Sequence, residues 1–221
     1  MDGNRRWAAD NGVSHYYGHW AGAQTLIEIV ESAKDLGIKT LTVYSFSTEN
    51  WHRPEEEREA LFEIFEHFLI EQKANMLLND VSLQTIGLLD PFPQKLKDLL
   101  EYTKQETSHC KSINLVLALN YGGRDEIRRA VAKISQNCLE GKITPESITE
   151  QTISEHLDTS PWGDLDILIR TSGEMRTSNF LLWQQHYAEL FFTDTLWPDF
   201  NRDHLLDILL SFQKRNRRRG K

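Results

Sequence analysis

The feature that most constrains the fold is an apolar run in the second half of the chain. Residues 113–119 are apolar at every position except Asn114. A run of this length without alternation is typical of a β-strand that is covered on both faces. Strands of this kind occur in parallel sheets, whose neighbouring strands are joined by helices. The run therefore predicts an α/β fold with a mainly parallel central sheet flanked by helices.

The rest of the chain alternates between strand-like and helix-like segments. Further strands are predicted at 40–46, 81–87, 165–169 and 187–192, where β-branched, aromatic or other apolar residues cluster. Apolar residues at helical spacing predict helices at 23–36, 55–78, 93–109, 125–137, 151–157 and 202–219. With 221 residues, the chain is expected to form a single domain over 1–221.

The first eight residues hold a carboxylate, a glycine, an amide, two guanidinium groups and an indole. Asp2 supplies hard oxygen ligands for a divalent cation, and Gly3 permits a positive φ or a close approach of a ligand. Asn4 is typical of a helix N-cap, where free amides attract phosphate. Arg5 and Arg6 carry forked donors that match phosphate oxygens. The segment predicts a metal-assisted diphosphate site, although a turn before a solvated helix has the same composition.

Three polar segments follow predicted strands, at 47–54, 120–124 and 170–179. Ligands collect where the carboxyl ends of parallel strands meet, so these segments are expected to gather at one edge. The last one holds two arginines, several hydroxyls and a glycine, which is the composition of an anion site. Each segment also has a structural interpretation. Residues 47–54 are compatible with a capped turn, residues 120–124 with a close turn, and residues 170–179 with a solvated loop. Glu189 stands in an apolar strand, where an acid is costly unless it meets a cation.

Two further features leave alternatives open. His15 and His19 are four residues apart, which on a helix suits a metal ion, but Gly18 weakens the helical interpretation. Phosphate-facing or structural histidines are therefore favoured. Helix 55–78 carries a wide apolar stripe that is typical of core packing and also of a hydrocarbon channel. Its aromatic members include Phe62, Phe65 and Phe68.

The formal net charge of -8 argues against nucleic-acid binding. Residues 214–221, however, hold six of the 25 basic residues and no acid, which suits RNA, an anionic membrane, a partner subunit or a solvated helix end. The two cysteines have no metal-type spacing, and no signal peptide or transmembrane segment is evident. A reducing, cytoplasmic location is expected.

The ordered motifs resemble those of the cis-prenyltransferases, and most closely those of the bacterial undecaprenyl diphosphate synthases. The similarity runs from Met1 to Gly220. The motifs that carry it are Met-Asp-Gly-Asn at 1–4, Arg-Trp-Ala at 6–8, Gly-His at 18–19 with Ala-Gly at 21–22, Phe-Ser-Thr-Glu-Asn-Trp at 46–51 with Arg-Pro at 53–54, Asn-Tyr-Gly-Gly-Arg at 120–124, Ile-Arg-Thr at 169–171, Ser-Asn-Phe-Leu-Leu-Trp-Gln at 178–184, Tyr-Ala-Glu-Leu at 187–190, Phe-Thr-Asp at 192–194 and Leu-Trp-Pro-Asp-Phe at 196–200.

The resemblance implies a homodimer with a hydrophobic tunnel, walled by helix 55–78, and a requirement for Mg²⁺. It implies condensation of farnesyl diphosphate with successive isopentenyl diphosphates, each forming a Z double bond. The expected product is undecaprenyl diphosphate, the lipid-carrier precursor for cell-wall glycan synthesis. Peripheral contact with the inner face of the membrane would allow product release. The alternatives are a shorter or longer product, or a non-catalytic partner subunit.

The resemblance also implies residue roles. Asp2 is expected to be catalytic and to bind Mg²⁺, with Glu189 completing the metal site. Asn50 matches the position assigned to proton removal; because a neutral amide is a poor base, we expect it to orient a group while diphosphate or water takes the proton. The positions expected to bind substrate are Gly3, Asn4, Arg5, Arg6, Trp7, His15, His19, Ser47, Thr48, Glu49, Trp51, Arg53, Arg170, Arg176, Thr177 and Ser178.

The chain departs from the family pattern at several points. Arg5 replaces a usual glycine, and Met175 replaces a frequent histidine near the metal. His15 replaces an arginine, which would make diphosphate binding depend on pH because histidine changes charge in the physiological range. Members normally have a strand before Met1, so the native protein is expected to begin earlier. The tail at 218–220 resembles an Arg-x-Gly that reaches a partner's active site.

Overall fold

The computed structural model describes residues 1–215, in which helices and strands alternate as the sequence predicts. The α-helices are α1 (Asn4–Asp10), α2 (His15–Asp35), α3 (Glu55–Leu78), α4 (Gln94–Glu106), α5 (Gly123–Leu139), α6 (Glu150–His156) and α7 (Arg202–Lys214). The strands are β1 (Thr40–Ser47), β2 (Val81–Ile86), β3 (Ile113–Tyr121), β4 (Ile167–Arg170) and β5 (Glu189–Phe192). Short 3-10 helices occupy Thr48–His52, Pro145–Ser147 and Trp197–Asp199.

Strand β3 is the central strand of a three-stranded sheet. It pairs in parallel with β1 on one side and with β2 on the other. Strands β4 and β5 form a second parallel pair. The prediction of an α/β fold with parallel strands flanked by helices is confirmed, and within residues 1–215 the strands form these two sheets.

Alternate side chains of β3 enter two different hydrophobic clusters. Leu115 and Leu117 pack with apolar residues of α2, α3 and α4, whereas Val116 and Ala118 pack on the opposite face with Leu181. All of these side chains are buried. Burial of a side chain the size of leucine contributes about 1.5–3 kcal/mol, so coverage on both faces strongly favours this strand as the centre of the sheet. The uninterrupted apolar run is therefore explained, as predicted, by coverage of the strand on both faces.

Helix α2 begins eight residues earlier than the sequence predicts, at His15 instead of Ala23. Gly18, which weakens the helical interpretation, lies inside the helix and is buried. A Cβ atom at Gly18 would stand 2.2 Å from the carbonyl oxygen of Asn4. The glycine therefore permits a close contact between α1 and α2, and this contact outweighs the low intrinsic helix propensity of glycine.

Two other predictions need correction. The strand predicted at 165–169 is β4, which is shorter and has only Leu168 fully buried, because its described partner is β5 alone. The closing helix ends at Lys214 rather than at 219, since the backbone at Arg215 is extended. The rest of the basic tail, with its predicted dimer contact at 218–220, lies outside the described residues. None of the helices within 1–215 has the length and apolarity needed to cross a membrane.

Candidate active site

The N-terminal segment and the loops after β1, β3 and β4 lie together. Thr171, directly after β4, donates its hydroxyl to the Asp2 carbonyl at 2.7 Å. Asn179, farther along the same loop, donates to Glu49 after β1 at 3.0 Å and accepts from the Arg124 amide after β3 at 2.9 Å. The structure therefore brings together the four polar segments that the sequence singles out.

Asp2 is held in place through both its backbone and its side chain. Its amide donates to the Thr171 hydroxyl at 2.9 Å, and its carbonyl accepts from the Trp197 amide at 3.0 Å. Arg170 Nη2 donates to Asp2 Oδ2 at 2.9 Å. Partial burial would raise the pKa of Asp2, but the hydrogen bond and charge of Arg170 outweigh it and lower the pKa below its ordinary value. The carboxylate is therefore ionised at neutral pH, with 47% of its side chain exposed to a ligand.

Gly3 is the residue that turns the chain into α1. Its φ is 109°, and it is the N-cap of the helix. The prediction that Asn4 is the N-cap is wrong: Asn4 is the first helical residue, and its Oδ1 is buried without a hydrogen bond within residues 1–215. Since the first amides of a helix have no acceptor inside it, the N–H groups of Asn4, Arg5 and Arg6 can donate hydrogen bonds to an anion.

The loop after β4 folds back on Arg170. Arg170 Nη1 donates to Ser178 Oγ at 2.8 Å and also to the backbone carbonyl of Arg176. The carbonyl of Thr177 accepts from the Phe180 amide at 3.1 Å, which closes the next turn. The predicted positions Arg170, Arg176, Thr177 and Ser178 thus belong to one tightly bonded loop, and the Arg176 side chain is 62% exposed beside it.

Glu174 is an acid in this cluster to which the sequence interpretation gave no role. It forms ion pairs with Arg6, at 3.5 Å, and with Arg176. Arg6 also donates to the Ser172 carbonyl at 3.0 Å. The sequence shows that Glu174 stands two residues before Arg176. The contact of Glu174 with the distant Arg6 depends on the fold and could not be predicted.

On the other side of the N-terminal segment, Glu57 lies close to two arginines and a histidine. Its carboxylate lies 3.2 Å from Arg53 Nη1, 3.7 Å from His19 Nε2 and 3.9 Å from Arg5 Nη1. Burial and the charge of Arg53 lower the pKa of His19 to about 4, and the opposing effect of Glu57 is smaller. His19 is therefore neutral at pH 7. The sequence pattern did not single out Glu57, because its partners are supplied by other elements of the fold.

The β1 loop is shaped by Asn50. Its Oδ1 accepts from the Ser47 amide at 3.0 Å and so closes the 3-10 turn. The next residue, Trp51, donates Nε1 to Asn120 Oδ1 at 2.8 Å. The side chain of Asn50 therefore holds the turn of the β1 loop, while its expected role in the reaction stays a prediction.

Asn179 connects three loops, and the sequence interpretation named it only within a motif. Its side chain bridges Glu49 and the Arg124 amide. Hydrogen bonding, chiefly from Asn179, outweighs partial burial and lowers the pKa of Glu49. A Cβ atom on Gly122 would lie 2.7 Å from Asn179 Nδ2 and 2.8 Å from Thr48 Oγ1. Glycine is thus the residue that allows these loops to approach one another.

A mostly apolar cavity of about 70 Å³ opens beside the N-terminal segment, between α2, α3 and the sheet. Its polar lining consists of Asn4, His19 and Ser45. Its apolar wall on α3 consists of Leu61, Ile64, Phe65 and Phe68. Both orphaned polar atoms at this end, Asn4 Oδ1 and His19 Nε2, belong to residues of the lining. Polar groups therefore stand directly against a space lined by hydrocarbon.

The predicted tunnel wall needs one correction. Phe62 does not line this cavity; it packs against the rings of Phe46, Trp51 and Phe92, with centroid distances of 5.8, 5.9 and 5.3 Å. Phe62 is therefore a core residue.

The remaining predicted positions are more peripheral. Trp7 donates Nε1 to Asp199 Oδ1 at 2.8 Å, which anchors α1 to the segment before α7. His15 is exposed as the first residue of α2, and Met175 is 77% exposed. No group of three or more acidic, histidine or cysteine side chains within residues 1–215 is arranged to hold a metal ion.

Glu189 does not join Asp2 within one chain. It is the first residue of β5 and pairs with Ile167, whereas Arg170, which binds Asp2, pairs with Phe192. Three residues along a strand correspond to about 10 Å, so the two carboxylates stand at opposite ends of this sheet. Glu189 instead accepts from Arg215 at 2.5 Å. The expected cation is present, but the metal site predicted from Asp2 and Glu189 together is not formed within the described chain.

Comparison with known proteins gives consistent matches along the whole chain. A prenyltransferase family model, described as "Putative undecaprenyl diphosphate synthase", matches residues 1–220. An isoprenyl transferase from Chlamydia pneumoniae is 45% identical over 225 residues, covering 100% of this chain and 90% of that protein.

Two solved structures are also similar. One is lavandulyl diphosphate synthase from Lavandula x intermedia in complex with dimethylallyl diphosphate, with a TM-score of 0.97 and 36% identity over 100% of this chain and 95% of the other. The second is a probable undecaprenyl diphosphate synthase from Campylobacter jejuni, with a TM-score of 0.81 and 33% identity over 91% and 92% of the two chains.

Proposed function

The chain belongs to the isoprenyl transferase family described by the undecaprenyl diphosphate synthase model, and from this premise we propose that it condenses farnesyl diphosphate with successive isopentenyl diphosphates. The leading product is a long Z-polyprenyl diphosphate, undecaprenyl diphosphate, which serves as a lipid-carrier precursor for cell-wall glycans. The observation that carries the proposal is the position of the apolar cavity. It is lined by Asn4 and His19, next to the carboxylate and arginines of the N-terminal segment.

The two groups of arginines suit two diphosphates. Arg5, Arg6 and Arg53, with the first amides of α1, would hold the allylic diphosphate whose hydrocarbon chain enters the cavity. Arg170 and Arg176 would hold the isopentenyl diphosphate. Forked guanidinium donors match phosphate oxygens and retain their charge at every physiological pH. The lowered pKa of His19 supports a role as a neutral hydrogen-bonding group beside the phosphates.

The donor set of Asp2 fits Mg²⁺. This ion is usually held by one or two carboxylates together with waters and substrate phosphates. Asp2 offers an ionised, half-exposed carboxylate, and Glu189 lies too far along β5 to complete the site in the same chain. When bound, Mg²⁺ would neutralise charge on the departing diphosphate. The function of Asp2 is then to hold the ion, and the function of Arg170 is to keep Asp2 ionised and oriented.

Condensation requires the allylic carbon–oxygen bond to break while the isopentenyl double bond attacks that carbon. A proton then leaves the isopentenyl unit for diphosphate or water. Asn50 maintains the turn of the β1 loop through Ser47, which supports a positioning role during this step. Water must be kept away from the electrophilic carbon, and the mostly apolar lining of the cavity supports this requirement.

A shorter product is the second candidate. This candidate is supported by the TM-score of 0.97 with the lavandulyl diphosphate synthase. We further propose that the protein acts as a homodimer in the cytoplasm and contacts the inner face of the membrane when it releases product.

Labelled isopentenyl diphosphate, incubated with farnesyl diphosphate and Mg²⁺, tests the function. We expect incorporation into butanol-extractable product, and loss of incorporation when a chelator removes Mg²⁺. A folded, full-length protein that incorporates no label at any Mg²⁺ concentration would overturn the enzyme proposal and favour a non-catalytic partner subunit. The chain length of the extracted product, measured by mass spectrometry, discriminates between the two candidates.

A further inference from the structure

Glu126 of α5 is a buried acid that the proposed reaction does not use, and only 1% of the residue is exposed. Its Oε2 accepts from the Tyr121 hydroxyl at 2.5 Å and from Gln184 Nε2 at 2.9 Å, and its Oε1 accepts from the Asp158 amide at 3.0 Å. Burial raises the pKa of Glu126, because a charge is costly in an apolar interior. The three donors therefore have to offset the cost of burying the carboxylate.

These hydrogen bonds join the bases of two loops of the candidate site. Tyr121 ends β3 and lies in the polar segment 120–124. Gln184 is the last residue of the segment 178–184, which belongs to the long loop after β4, and only 1% of it is exposed. Glu126 therefore holds one end of segment 178–184 against the loop after β3.

The other end of segment 178–184 enters the proposed isopentenyl diphosphate site, where Ser178 Oγ accepts from Arg170 Nη1 at 2.8 Å. Ser178, Asn179 and Leu181 have φ values of 46°, 66° and 47°, which are uncommon for residues other than glycine. Such a backbone persists where the surrounding structure fixes it at several points. The segment therefore depends on anchors at both ends, and Gln184 is the buried anchor.

Asp158, whose amide donates to Glu126, is itself held firmly. Arg129 Nη1 and Nη2 donate to its two carboxylate oxygens at 2.7 and 2.6 Å, and the Gly87 amide after β2 donates to its Oδ2 at 3.0 Å. A two-point contact between a guanidinium and a carboxylate fixes orientation as well as distance. Glu126 therefore stands on a rigid support that connects α5 with the ends of β2 and β3.

We propose that Glu126 is a positioning residue for isopentenyl diphosphate: through Gln184 it holds segment 178–184 in the conformation in which Ser178 binds Arg170. The proposal rests on the function proposed above. The hydrogen bonds of Glu126 lead to this segment and to the loop after β3, whereas the arginines proposed to hold the allylic diphosphate lie on α1 and in the β1 loop. Loss of the Glu126 contact therefore weakens the use of one substrate and spares the other.

Steady-state kinetics of the full-length protein, with each substrate varied in turn, test the proposal. Glu126→Gln removes the charge at nearly constant volume, and Gln184→Met removes the same hydrogen bond from the side of the segment. Glu140→Gln is the matched charge control, since Glu140 is exposed directly after α5. Ile134→Ala is the stability control, because Ile134 is buried on the same helix and its truncation weakens the packing of α5 without removing a hydrogen bond.

We expect Glu126→Gln and Gln184→Met each to raise KM for isopentenyl diphosphate about tenfold, since displaced positioning groups are costly. KM for farnesyl diphosphate should change by less than about twofold, because its proposed binding groups lie on other elements. The double variant should show little further increase, because both substitutions remove the same contact. Glu140→Gln and Ile134→Ala should keep the wild-type KM values.

Equal changes in both KM values, or no change in either, in folded Glu126→Gln and Gln184→Met proteins would overturn the proposal while leaving the proposed function intact. The same selective rise in Ile134→Ala would also overturn it, because general loosening of α5 would then be the cause. If Glu126→Gln does not fold, Gln184→Met decides the question by itself. Failure of the unmodified protein to incorporate any isopentenyl unit would overturn both the positioning role and the proposed function.

Discussion

The guanidinium group of Arg170 donates to the carboxylate of Asp2 across 168 positions of sequence, with 2.9 Å between Nη2 and Oδ2. The same guanidinium binds Ser178 Oγ through Nη1 at 2.8 Å. One side chain thus links the proposed Mg²⁺ ligand to the loop proposed to bind isopentenyl diphosphate. Loss of the carboxylate would remove both the metal ligand and the anionic partner of Arg170.

Replacement of Asp2 by alanine is expected to lower kcat by at least about 10²-fold, the magnitude typical for removal of an electrostatic group that stabilises developing charge. Asp10→Asn is the matched control, because Asp10 is exposed at the end of α1. Steady-state incorporation of isopentenyl diphosphate measures kcat, and circular dichroism checks the fold. A wild-type kcat in a folded Asp2→Ala protein would remove Asp2 from the mechanism.

Asn179 offers a test of loop positioning that separates backbone from side-chain effects. Its φ is 66°, a region in which a residue other than glycine or asparagine is destabilised by about 1 kcal/mol. Asn179→Gly keeps this backbone conformation but removes the bridge between Glu49 and Arg124, whereas Asn179→Ala also strains the backbone. We expect both variants to lose kcat/KM about tenfold or more, since misplacement of substrate-positioning groups is costly.

Urea denaturation then separates the two Asn179 variants. The alanine variant is expected to be less stable than the glycine variant by about 1 kcal/mol. If Asn179→Gly retained the wild-type kcat/KM, the bridge would have only a structural role.

The sequence predicted the elements whose cause is local and missed the contacts that depend on long-range packing. The apolar run of β3 and the amphipathic spacing of α3 indicate burial directly, and both elements appear where they are predicted. The start of α2 could not be predicted, because Gly18 serves a contact with Asn4 that exists only in the folded chain.

The candidate site shows the same division. The carboxylate of Asp2 is a typical metal ligand, and the guanidinium of Arg170 is a typical anion-binding group. The sequence therefore identified both residues as candidates. Glu57 and Asn179 were missed because their roles depend on partners supplied by other elements. For Glu189, composition correctly indicated a need for a cation, but the β4–β5 register decides which cation it meets, and this proved to be Arg215.

His19 is expected to make stability depend on pH. Its pKa falls from an ordinary 6.5 to about 4 on folding, so the unfolded chain binds the proton more tightly. Stability is therefore fully present above pH 6.5 and is lost as the pH falls toward 4. Between pH 7 and pH 4.5 this residue should account for a decrease of about 2–3 kcal/mol in the free energy of unfolding.

Urea denaturation of wild type and His19→Gln at these two pH values measures this contribution. The variant should lose less stability on acidification, by about the same 2–3 kcal/mol. His109→Gln, at an exposed position, is the control and should behave as wild type. An identical pH dependence in His19→Gln and wild type would contradict the assignment.

Glu57 places a negative charge among the cations proposed to bind the allylic diphosphate. Its side chain is 16% exposed and lies within 4 Å of Arg5, His19 and Arg53. Glu57→Gln retains the size of the side chain and a hydrogen-bond acceptor for Arg53 while it removes the charge. Removal of a charge several ångströms from a bound diphosphate changes its binding by about 1 kcal/mol, so KM for farnesyl diphosphate should fall about fivefold.

The change in KM should become smaller as the salt concentration is raised, because mobile ions screen the interaction. Glu59→Gln, exposed on the same helix, should leave KM unchanged. A rise in KM for Glu57→Gln would instead show that the charge of Glu57 is needed to hold Arg53 in its binding position.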